Sequence, residues 1–407
     1  MTVEIRVPIE DEHERWFQAC ETSFSSEVRE EDVERDRKMI PAERMFGAYE
    51  DGAIVGTAAD LPMLLTIPGG ELPSAGVTMV GVMPSHRRRG ILTQLMRREL
   101  DDALGRGEPL SILWASEEPI YGRFGYGVAT LRAWINADRD RIAFRGEPES
   151  VGRVRLIDAE EASRVLPPIW DRARVERPGM FARSPEWWQE YRLPDPEHRR
   201  RGGGPRFIAL LELDETPEAY AFYRVHESWG EGGIAGSRLL VMETVATTPL
   251  AELEIWRFLF GIDLVARVES NFVPVDHPLM LAVTESRRLR WSVSDGLWLR
   301  ILDVTRALES RSYAAEGRLV FELSDEFMPD NAGKWTLDAG LDGASASRGG
   351  DPDLRLDVRD LASAYLGGFS FSQLAASGLV DELALGAIDR ADRLFRTARA
   401  PWCPQVF

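Results

Sequence analysis

The sequence predicts an α+β protein with mixed sheets, divided into more than one domain. Residues 77–83 form a β-branched and apolar run, and from residue 90 the apolar positions recur every three or four residues, as in a helix. Residues typical of hairpin turns precede this strand and helix. In the last part of the chain, the predicted strands come first and the predicted helices follow. A chain of 407 residues is also too long for a single hydrophobic core, so two or three domains are expected.

The composition is that of an ordinary globular protein, with 44% hydrophobic and 29% charged residues. A net charge of −18 argues against nucleic acid or an anionic membrane as a partner and favours a cationic partner such as an amine. The sequence has no run typical of a signal peptide or a membrane span, and its cysteines are limited to Cys20 and Cys403. These features predict a cytoplasmic protein without a disulfide framework.

The first part of the chain is expected to form helices and then an antiparallel meander. The first 45 residues have an acidic, helical pattern, and residues 50–52 and 68–70 mark hairpin turns between apolar runs. The meander leads into the strand described above. Residues 111–116 predict a second buried strand, and residues 134–137 are expected to close the same sheet.

A basic turn lies between the first predicted strand and its helix. It ends in a glycine, whose missing Cβ lets an anion approach the backbone, and it reads Ser85-His86-Arg87-Arg88-Arg89-Gly90. Backbone N–H groups and the positive end of the helix dipole would point at one spot, and the arginines add charge to it. The turn predicts an anion site; the alternative is that its arginines are only solvated.

The same order of elements then restarts. Residues 155–164 predict a strand that runs into a helix, and residues 207–213 and 219–225 predict a hairpin. Another strand at residues 239–246 leads into a helix that a Thr-Thr-Pro sequence would cap. These elements parallel the first part of the chain, but the basic turn is missing.

From residue 291 onward the sequence predicts a separate α+β domain. Strands are expected at residues 295–301, 317–321, 334–337, 345–347 and 354–358, and helices at residues 360–365 and 388–397.

The region around the basic turn resembles the GNAT acyl-CoA N-acetyltransferases. In that family the pattern Arg/Gln-x-x-Gly-x-Gly/Ala grips the pyrophosphate of coenzyme A, and here it reads Arg87-Arg88-Arg89-Gly90-Ile91-Leu92, with leucine in place of the last small residue. The later stretch Tyr121-Gly122-Arg123-Phe124-Gly125-Tyr126 has the tyrosine and the Gly-aromatic pair of the family. The order of strand, basic turn, helix, strand and tyrosine motif carries the resemblance.

The whole chain resembles the enhanced intracellular survival (Eis) acetyltransferases. The stretches IYGRFGYG, DGLWLR and the terminal PWCPQVF are similar to that family. The resemblance implies tandem GNAT folds followed by a sterol-carrier-protein-like α+β domain. The expected divisions are a catalytic domain at residues 1–137, a second GNAT-like domain without a coenzyme site at 138–288, and a third domain at 289–407 whose tail reaches the active site.

The resemblance also implies acetyl-CoA as the cosubstrate, with no metal. Backbone groups of Val80 and Val82 would meet the pantetheine arm, and Gly81 would permit a bulge that opens the sheet. The turn and the start of the helix would hold the pyrophosphate, and the end of the next strand would lie beside the arm. The predicted coenzyme site comprises Val80, Gly81, Val82, Arg87, Arg88, Arg89, Gly90, Ile91, Leu92, Thr93, Ser116 and Glu117.

Two residues are assigned to catalysis by the same resemblance. Tyr121 has the family's tyrosine position and would donate a proton to the departing thiolate, with Tyr126 as the competing candidate. No histidine has a catalytic or metal-ligand spacing, and His86 is interpreted as a surface residue of the basic turn. In the Eis family the terminal carboxylate acts as the base, which assigns that role to Phe407. A docked but inert tail is the alternative.

The expected activity is N-acetylation of primary amines, and the resemblance implies aminoglycoside-like polyamines or lysine side chains as acceptors. Trp16, Phe24, Glu27, Trp114 and the C-terminal tail could line an aromatic, acidic pocket for a polycation. The alternative function is a non-catalytic protein that binds coenzyme A or an apolar ligand. The family resemblance further implies a homohexamer.

Overall fold

The computed structural model of the chain describes residues 3–146 and 152–407. The described residues form nineteen strands, which are β1 (Glu4–Arg6), β2 (Met45–Glu50), β3 (Ala53–Ile67), β4 (Gly70–Val82), β5 (Leu110–Trp114), β6 (Gly127–Val128), β7 (Leu131–Asp138), β8 (Gly152–Ile157), β9 (Phe207–Leu213), β10 (Thr216–His226), β11 (Ser237–Ala246), β12 (Val265–Val273), β13 (Ser292–Asp295), β14 (Leu297–Ile301), β15 (Gly317–Ser324), β16 (Gly333–Gly340), β17 (Gly343–Arg348), β18 (Leu354–Asp357) and β19 (Val380–Glu382).

The same described residues form twelve α-helices. These are α1 (His13–Ser23), α2 (Glu30–Met39), α3 (Ile91–Gly105), α4 (Glu118–Tyr121), α5 (Ala159–Arg174), α6 (Pro185–Trp187), α7 (Pro249–Gly261), α8 (Leu279–Ala282), α9 (Val304–Ser310), α10 (Val358–Tyr365), α11 (Phe371–Ala376) and α12 (Ala387–Phe395). Within the described part of the chain, no helix is both long enough and apolar enough to cross a lipid bilayer.

The chain forms two compact units, each assembled from separate stretches of sequence. The first unit contains Met1–Thr130, Leu297–Ala398 and Val406–Phe407, and the second contains Leu131–Gly296 and Arg399–Gln405. The strand and helix patterns identified in the sequence therefore exist, but the chain passes between the units several times.

The first unit contains a seven-stranded mixed sheet in the order β1-β2-β3-β4-β5-β14-β6. The predicted meander is confirmed, since β2, β3 and β4 pair antiparallel and turn at residues 50–53 and 67–70. Strand β5 then pairs parallel with β4, and α3 provides the crossover between them. Helix α3 packs on the sheet through one fully buried stripe, which includes Leu95, Met96 and Leu100.

Two strands lie in different sheets from those that the sequence predicts. Residues 134–137 were expected to close the first sheet, but β7 pairs with β12 and β13 in the second unit. Strand β14 pairs with β5 in that position. The sequence predicted residues 295–301 as one continuous strand. Gly296 separates β13 from β14, so that adjacent residues enter different sheets. The prediction was wrong because it paired strands that are close in sequence.

The first unit also contains a five-stranded sheet in the order β17-β16-β15-β18-β19. Its antiparallel strands β15, β16 and β17 precede β18, which pairs parallel with β15, and helices α10 to α12 follow. The predicted α+β character of this part of the chain is confirmed, but the order is not strictly strands first, because α9 precedes β15 and β19 lies between α11 and α12.

The second unit is built on one sheet in the order β13-β7-β12-β11-β10-β9-β8. Strands β11 and β12 pair parallel and are joined by α7, which repeats the β4-α3-β5 arrangement of the first unit. The two crossover helices begin differently. The hydroxyl of Thr248 accepts the N–H of Ala251 at 3.2 Å at the start of α7, whereas Gly90 at the start of α3 provides no side-chain cap.

Arg300 of β14 supports the loop that follows α4. Its side chain is fully buried and forms an ion pair with Asp325. Asp325 also accepts the backbone N–H of Met328 at 2.9 Å. The guanidinium lies against Gly125, which has a φ of +83°, and a Cβ at this position would clash with it. Glycine is thus required at residue 125 both by its backbone conformation and by the close approach of Arg300.

We expect Gly125→Ala to lower the free energy of unfolding by about 2 kcal/mol or more, measured by urea denaturation. A left-handed backbone alone costs an L-residue about 1–2 kcal/mol, and the Cβ would displace a buried charge from its partner. Gly105→Ala is the control, because its added Cβ meets nothing within 4 Å at the end of α3. Equal stabilities for the two variants would contradict the role of Arg300.

Candidate active site

A cavity of about 660 Å³ opens in the first unit where β4 and β5 end and α3 begins. We call it the α3 cavity. It is lined by Ser23, Phe24, Ser25, Val80, Gly81, Val82, His86, Arg87, Arg88, Gly90, Ile91, Leu92, Thr93, Ser116, Glu117, Ile120, Tyr121 and Arg123. Most residues of the predicted coenzyme site therefore lie around one space.

A β-bulge in β4 opens the sheet at this cavity. Thr57 of β3 faces Gly81 and Ala59 faces Thr78, so two residues of β4 lie opposite one residue of β3. Met79 in the bulge has a φ of +53°, and its carbonyl accepts the hydroxyl of Thr57 at 2.9 Å. The pairing of β4 with β5 ends before the bulge, at Val77 opposite Leu113. The predicted opening of the sheet exists, although the bulge lies at residues 79–80 and not at Gly81.

Gly81 has a different role from the predicted one. A Cβ on Gly81 would lie 2.7 Å from the Cβ of Ser23, closer than two side-chain carbons can approach. Glycine here allows the end of α1 to pack directly against β4. This contact brings Ser23, Phe24 and Ser25 to the edge of the cavity.

The start of α3 presents backbone donors to the cavity. Arg88 and Gly90 both have a left-handed backbone, with φ of +62° and +79°, and the first helical hydrogen bond runs from the N–H of Gln94 to the carbonyl of Gly90 at 3.2 Å. The N–H groups of residues 91–93 therefore precede the helical hydrogen-bond ladder. A Cβ on Gly90 would meet nothing within 4 Å, so space is open in front of them. This geometry suits an anion.

The three arginines of the basic turn do different things. Arg87 donates to the carbonyls of Ser23 at 3.1 Å and Val82 at 3.3 Å, which ties the turn to α1 and β4. Arg88 lines the cavity. Arg89 forms a two-point ion pair with Glu50, and Nε2 of His86 lies 3.1 Å from the same carboxylate.

This arrangement separates Arg88 from Arg89, which the sequence analysis grouped together. Arg89 is not among the residues that line the α3 cavity, and its guanidinium is engaged by Glu50. His86 does line the cavity, in addition to its contact with Glu50. Glu50 therefore holds the outer side of the turn, whereas Arg87 and Arg88 line the inner side.

Tyr121 and Tyr126 lie in different surroundings, although their ring centroids are 6.0 Å apart. Tyr121 ends α4 and lines the cavity together with Ser116. Burial raises the pKa of Tyr121 to about 12. Tyr126 has no exposed surface, and its hydroxyl lies 2.6 Å from the hydroxyl of Ser111. Only the first tyrosine is thus placed to meet a molecule in the cavity.

The predicted acceptor pocket is brought together only in part. Phe24 lines the cavity. Trp16 is fully buried and donates its indole N–H to the carbonyl of Phe46 at 2.8 Å, so it belongs to the core. Glu27 and Trp114 are not among the residues that line the cavity.

Sequence reasoning missed several residues of the lining, namely Ser23, Ser25, Ile120 and Arg123. Ile120 and Arg123 flank Tyr121 in the tyrosine motif, which could have identified them. The two serines could not be identified, because their position depends on the packing of α1 against Gly81.

The C-terminal tail is divided between the units. Residues 399–405 belong to the second unit, where Trp402 is buried in the core, and Val406 and Phe407 belong to the first unit, which contains the α3 cavity. Phe407 is half-buried and is not among the residues that line the cavity.

Comparison with protein families assigns three regions of the chain. Residues 4–129 and residues 179–301 each match an acetyltransferase (GNAT) domain, and residues 304–404 match a sterol carrier protein domain. Together with the bulged strand, the open helix N-terminus and the buried tyrosine, these matches define the class of the protein. It is an acyltransferase with tandem GNAT folds and a sterol-carrier-protein-like domain.

Individual relatives define the family more closely. The chain is 39% identical over 412 residues to an uncharacterized N-acetyltransferase of Streptomyces avermitilis, covering 100% of both chains. It is 33% identical over 411 residues to the N-acetyltransferase Eis of Mycobacterium tuberculosis, covering 97% of each. The crystal structure of Eis1 from Mycobacterium abscessus superimposes with a TM-score of 0.86 at 33% identity, covering 99% of this chain and 100% of that one. The chain belongs to the Eis-like family of GNAT N-acetyltransferases.

We expect the stability provided by Glu50 to depend on pH. Arg89 lowers the pKa of the Glu50 carboxyl, so this contribution is complete above the unfolded-state pKa of about 4.3 and is lost as the pH falls through the lower folded-state value. Thermal unfolding should therefore show that Glu50→Gln has a lower Tm than the wild type at neutral pH, and that the difference shrinks below about pH 4. Glu43→Gln, at an exposed carboxylate, is the control. A Tm difference that persists unchanged at pH 3 would contradict the ion pair.

Proposed function

We propose that the protein transfers an acetyl group from acetyl-CoA to primary amines, with Tyr121 as general acid and the terminal carboxylate of Phe407 as general base. The observation that carries the proposal is the α3 cavity, which joins an open helix N-terminus to a buried tyrosine beside a widened gap between two parallel strands. An acyl-CoA needs the open helix N-terminus because its pyrophosphate is an anion, and it needs the tyrosine because its thioester must reach a proton donor.

The residues present fit acetyl-CoA. The N–H groups of residues 91–93 and the side chain of Arg88 would hold the pyrophosphate, and the open space at Gly90 admits it. The backbone of β4 from Val80 to Val82 would bind the pantetheine arm where β5 no longer pairs with it. Ser116 and Glu117 would lie on the other side of the arm.

The reaction moves one acetyl group and one proton. A neutral amine attacks the thioester carbonyl, the C–S bond breaks, the amine loses a proton to the base, and the thiolate takes a proton from Tyr121. Solvent then takes the proton from the base and returns one to Tyr121, so that the net transfer is one proton from the amine to the thiol. Because its pKa is about 12, Tyr121 is protonated near neutral pH and can donate its proton. The same burial raises the pKa of a thiol, so the pKa of the leaving group comes closer to that of the phenol.

The base is assigned by family resemblance to the α-carboxylate of Phe407. Two features of the chain support the proposal. The preceding tail residues are firmly held. Trp402 is buried, and its backbone N–H donates to the carbonyl of Pro178 at 2.8 Å. The last two residues belong to the unit that contains Tyr121.

The proposed acceptors are aminoglycoside-like polyamines and lysine side chains of peptides. The net charge of −18 favours the approach of a polycation, and Phe24 offers an aromatic surface at the edge of the cavity. A non-catalytic binding protein is the other candidate, but such a protein needs no buried tyrosine at the end of its ligand cavity. A homohexameric assembly stays a prediction from the family resemblance, and a cytoplasmic location stays a prediction from the sequence.

Thiol release from acetyl-CoA tests the proposal directly, with an aminoglycoside, a linear polyamine and a lysine peptide as acceptors. Tyr121→Phe should lower kcat by about 10²–10⁴-fold, since the general acid is removed. The ratio of wild-type to variant kcat should stay constant between about pH 7 and 10, because a phenol with a pKa of about 12 is protonated throughout that range.

Tyr126→Phe is the matched control and should retain kcat, because its hydroxyl contacts Ser111 and not the cavity. A kcat ratio that falls toward one as the pH rises from 8 to 10 would contradict Tyr121 as a fully protonated donor. If no acceptor stimulated thiol release although acetyl-CoA still bound, the binding-protein alternative would replace the enzyme.

Removal of Phe407 should lower kcat by about 10²–10⁴-fold while leaving acetyl-CoA affinity unchanged, because the carboxylate retreats by about 3.5 Å. Addition of two glycines after Phe407 is a second variant that keeps the aromatic side chain and moves only the charge. Both should lose turnover, measured by thiol release at saturating acceptor. Full activity in both variants would mean that the tail is inert.

A further inference from the structure

The loop between β15 and β16 packs against the tyrosine motif. It comprises residues 325–331 and belongs to the region that matches a sterol carrier protein domain. The ring of Phe327 in this loop meets the ring of Phe124 edge to face, with centroids 5.0 Å apart. The guanidinium of Arg97, in α3, lies 3.8 Å from the centre of the same Phe327 ring. Phe327 thus joins the tyrosine motif to the helix that begins at the α3 cavity.

An ion pair and hydrogen bonds fix the shape of this loop. Asp325 pairs with the fully buried Arg300 of β14 and accepts the backbone N–H of Met328 at 2.9 Å. The side-chain amide of Asn331 donates to the same carboxylate at 3.3 Å. Phe327 lies between these anchored residues and is 8% exposed. Its ring is therefore held in one place by the loop as well as by its aromatic neighbour.

The tyrosine motif is a closed turn, so its residues move together. The backbone N–H of Tyr126 donates to the carbonyl of Tyr121 at 3.4 Å, and the two ring centroids are 6.0 Å apart. Phe124 lies inside this turn and is 1% exposed. Tyr121, Phe124 and Phe327 belong to one buried apolar cluster. Because protein interiors are close-packed, a shift of Phe124 displaces its neighbours in this cluster.

The proposed reaction makes the position of Tyr121 critical. Its phenol has to reach the sulfur of the departing thiolate, and a misplacement of about 1 Å can cost up to about 10²-fold in rate. The side chain of Tyr121 lines the α3 cavity and is otherwise packed in the apolar cluster. The packing of the cluster therefore determines where the hydroxyl lies.

We propose that Phe327 is a positioning residue for Tyr121, and that the sterol-carrier-protein-like part of the chain serves catalysis by holding the tyrosine motif against α3. This inference rests on the proposed function, in which Tyr121 is the general acid. The described residues that line the α3 cavity all lie before residue 124, so the inference gives a much later part of the chain a share in the reaction.

Replacement of Phe327 by leucine tests the role of the ring. Phe327→Leu keeps an apolar side chain, but it removes the edge-to-face contact with Phe124 and the contact with Arg97. The smaller side chain also leaves space into which Phe124 can shift. The hydroxyl of Tyr121 would then be less often in place for the leaving sulfur. The start of α3 and the bulge of β4, where the coenzyme would bind, are left unchanged.

The experiment measures kcat by thiol release, acetyl-CoA affinity by titration and Tm by thermal unfolding, all on the full-length protein. Phe327→Leu should lower kcat by about 10–100-fold with acetyl-CoA affinity unchanged. In the Tyr121→Phe background the same substitution should cause no further loss of the residual kcat, because no phenol hydroxyl is left to position. Phe327→Met, whose side chain fills irregular core space, should show the same pattern and replaces the leucine variant if that variant does not fold.

Phe371→Leu is the matched control. Phe371 belongs to α11 of the same domain, is 1% exposed and meets Phe395 edge to face, with centroids also 5.0 Å apart. This variant should lower Tm about as much as Phe327→Leu, since each loses one buried aromatic ring, but it should keep the wild-type kcat. The comparison separates a loss of stability from a misplacement of Tyr121.

Each outcome supports or overturns the positioning role. A loss of kcat in Phe327→Leu that disappears in the Tyr121→Phe background supports it. If Phe327→Leu keeps the wild-type kcat while Tyr121→Phe abolishes turnover, the positioning role is wrong and the general acid stands. If Phe327→Leu lowers kcat by the same factor with and without the tyrosine hydroxyl, or if Phe371→Leu lowers kcat equally, Phe327 acts only on general structure and the positioning role is overturned. If Tyr121→Phe has no effect, the general acid is wrong, and the positioning role fails with it.

Discussion

The separation of β4 from β5 is the constraint on which the rest of the site depends. Parallel strands that stayed paired to their ends would leave no gap beside α3. The bulge at Met79, where β4 has one residue more than the facing part of β3, prevents such continuous pairing. The left-handed backbone of a non-glycine residue costs about 1–2 kcal/mol, and the hydroxyl of Thr57 offsets part of that cost by bonding the rotated carbonyl at 2.9 Å. The end of α1 then closes one side of the gap through its contact with Gly81.

The two GNAT-like parts of the chain use the same strand-helix-strand unit for different purposes. At α3 the first turn of the helix has no side-chain cap and faces open space at Gly90. At α7 the hydroxyl of Thr248 accepts one of the corresponding groups, the N–H of Ala251, and Pro249 has no N–H to offer. The N-terminus of α3 therefore offers more backbone donors to an anion than that of α7 does. The second unit binds a segment of its own chain instead, with Trp402 in its core.

The sterol-carrier-protein-like part is connected structurally to the tyrosine motif. Phe124 and Phe327 have ring centroids 5.0 Å apart, and Asp325 pairs with Arg300, which lies against Gly125. Both contacts belong to the loop that follows Tyr121. The loop that carries the tyrosine motif is thus packed against residues about two hundred positions later in the sequence.

The sequence by itself determined the elements and the chemistry that local rules control. The strand, basic turn and helix around Gly90 follow from periodicity and from glycine's tolerance of positive φ, and the motif that contains Tyr121 identified the proposed acid. Only the tertiary structure decided which strands pair across Gly296, which arginine of the turn faces the cavity, and that Gln405 meets Arg183. These outcomes depend on partners far away along the chain, and a pattern of neighbouring residues contains no information about which distant groups will lie within hydrogen-bonding distance.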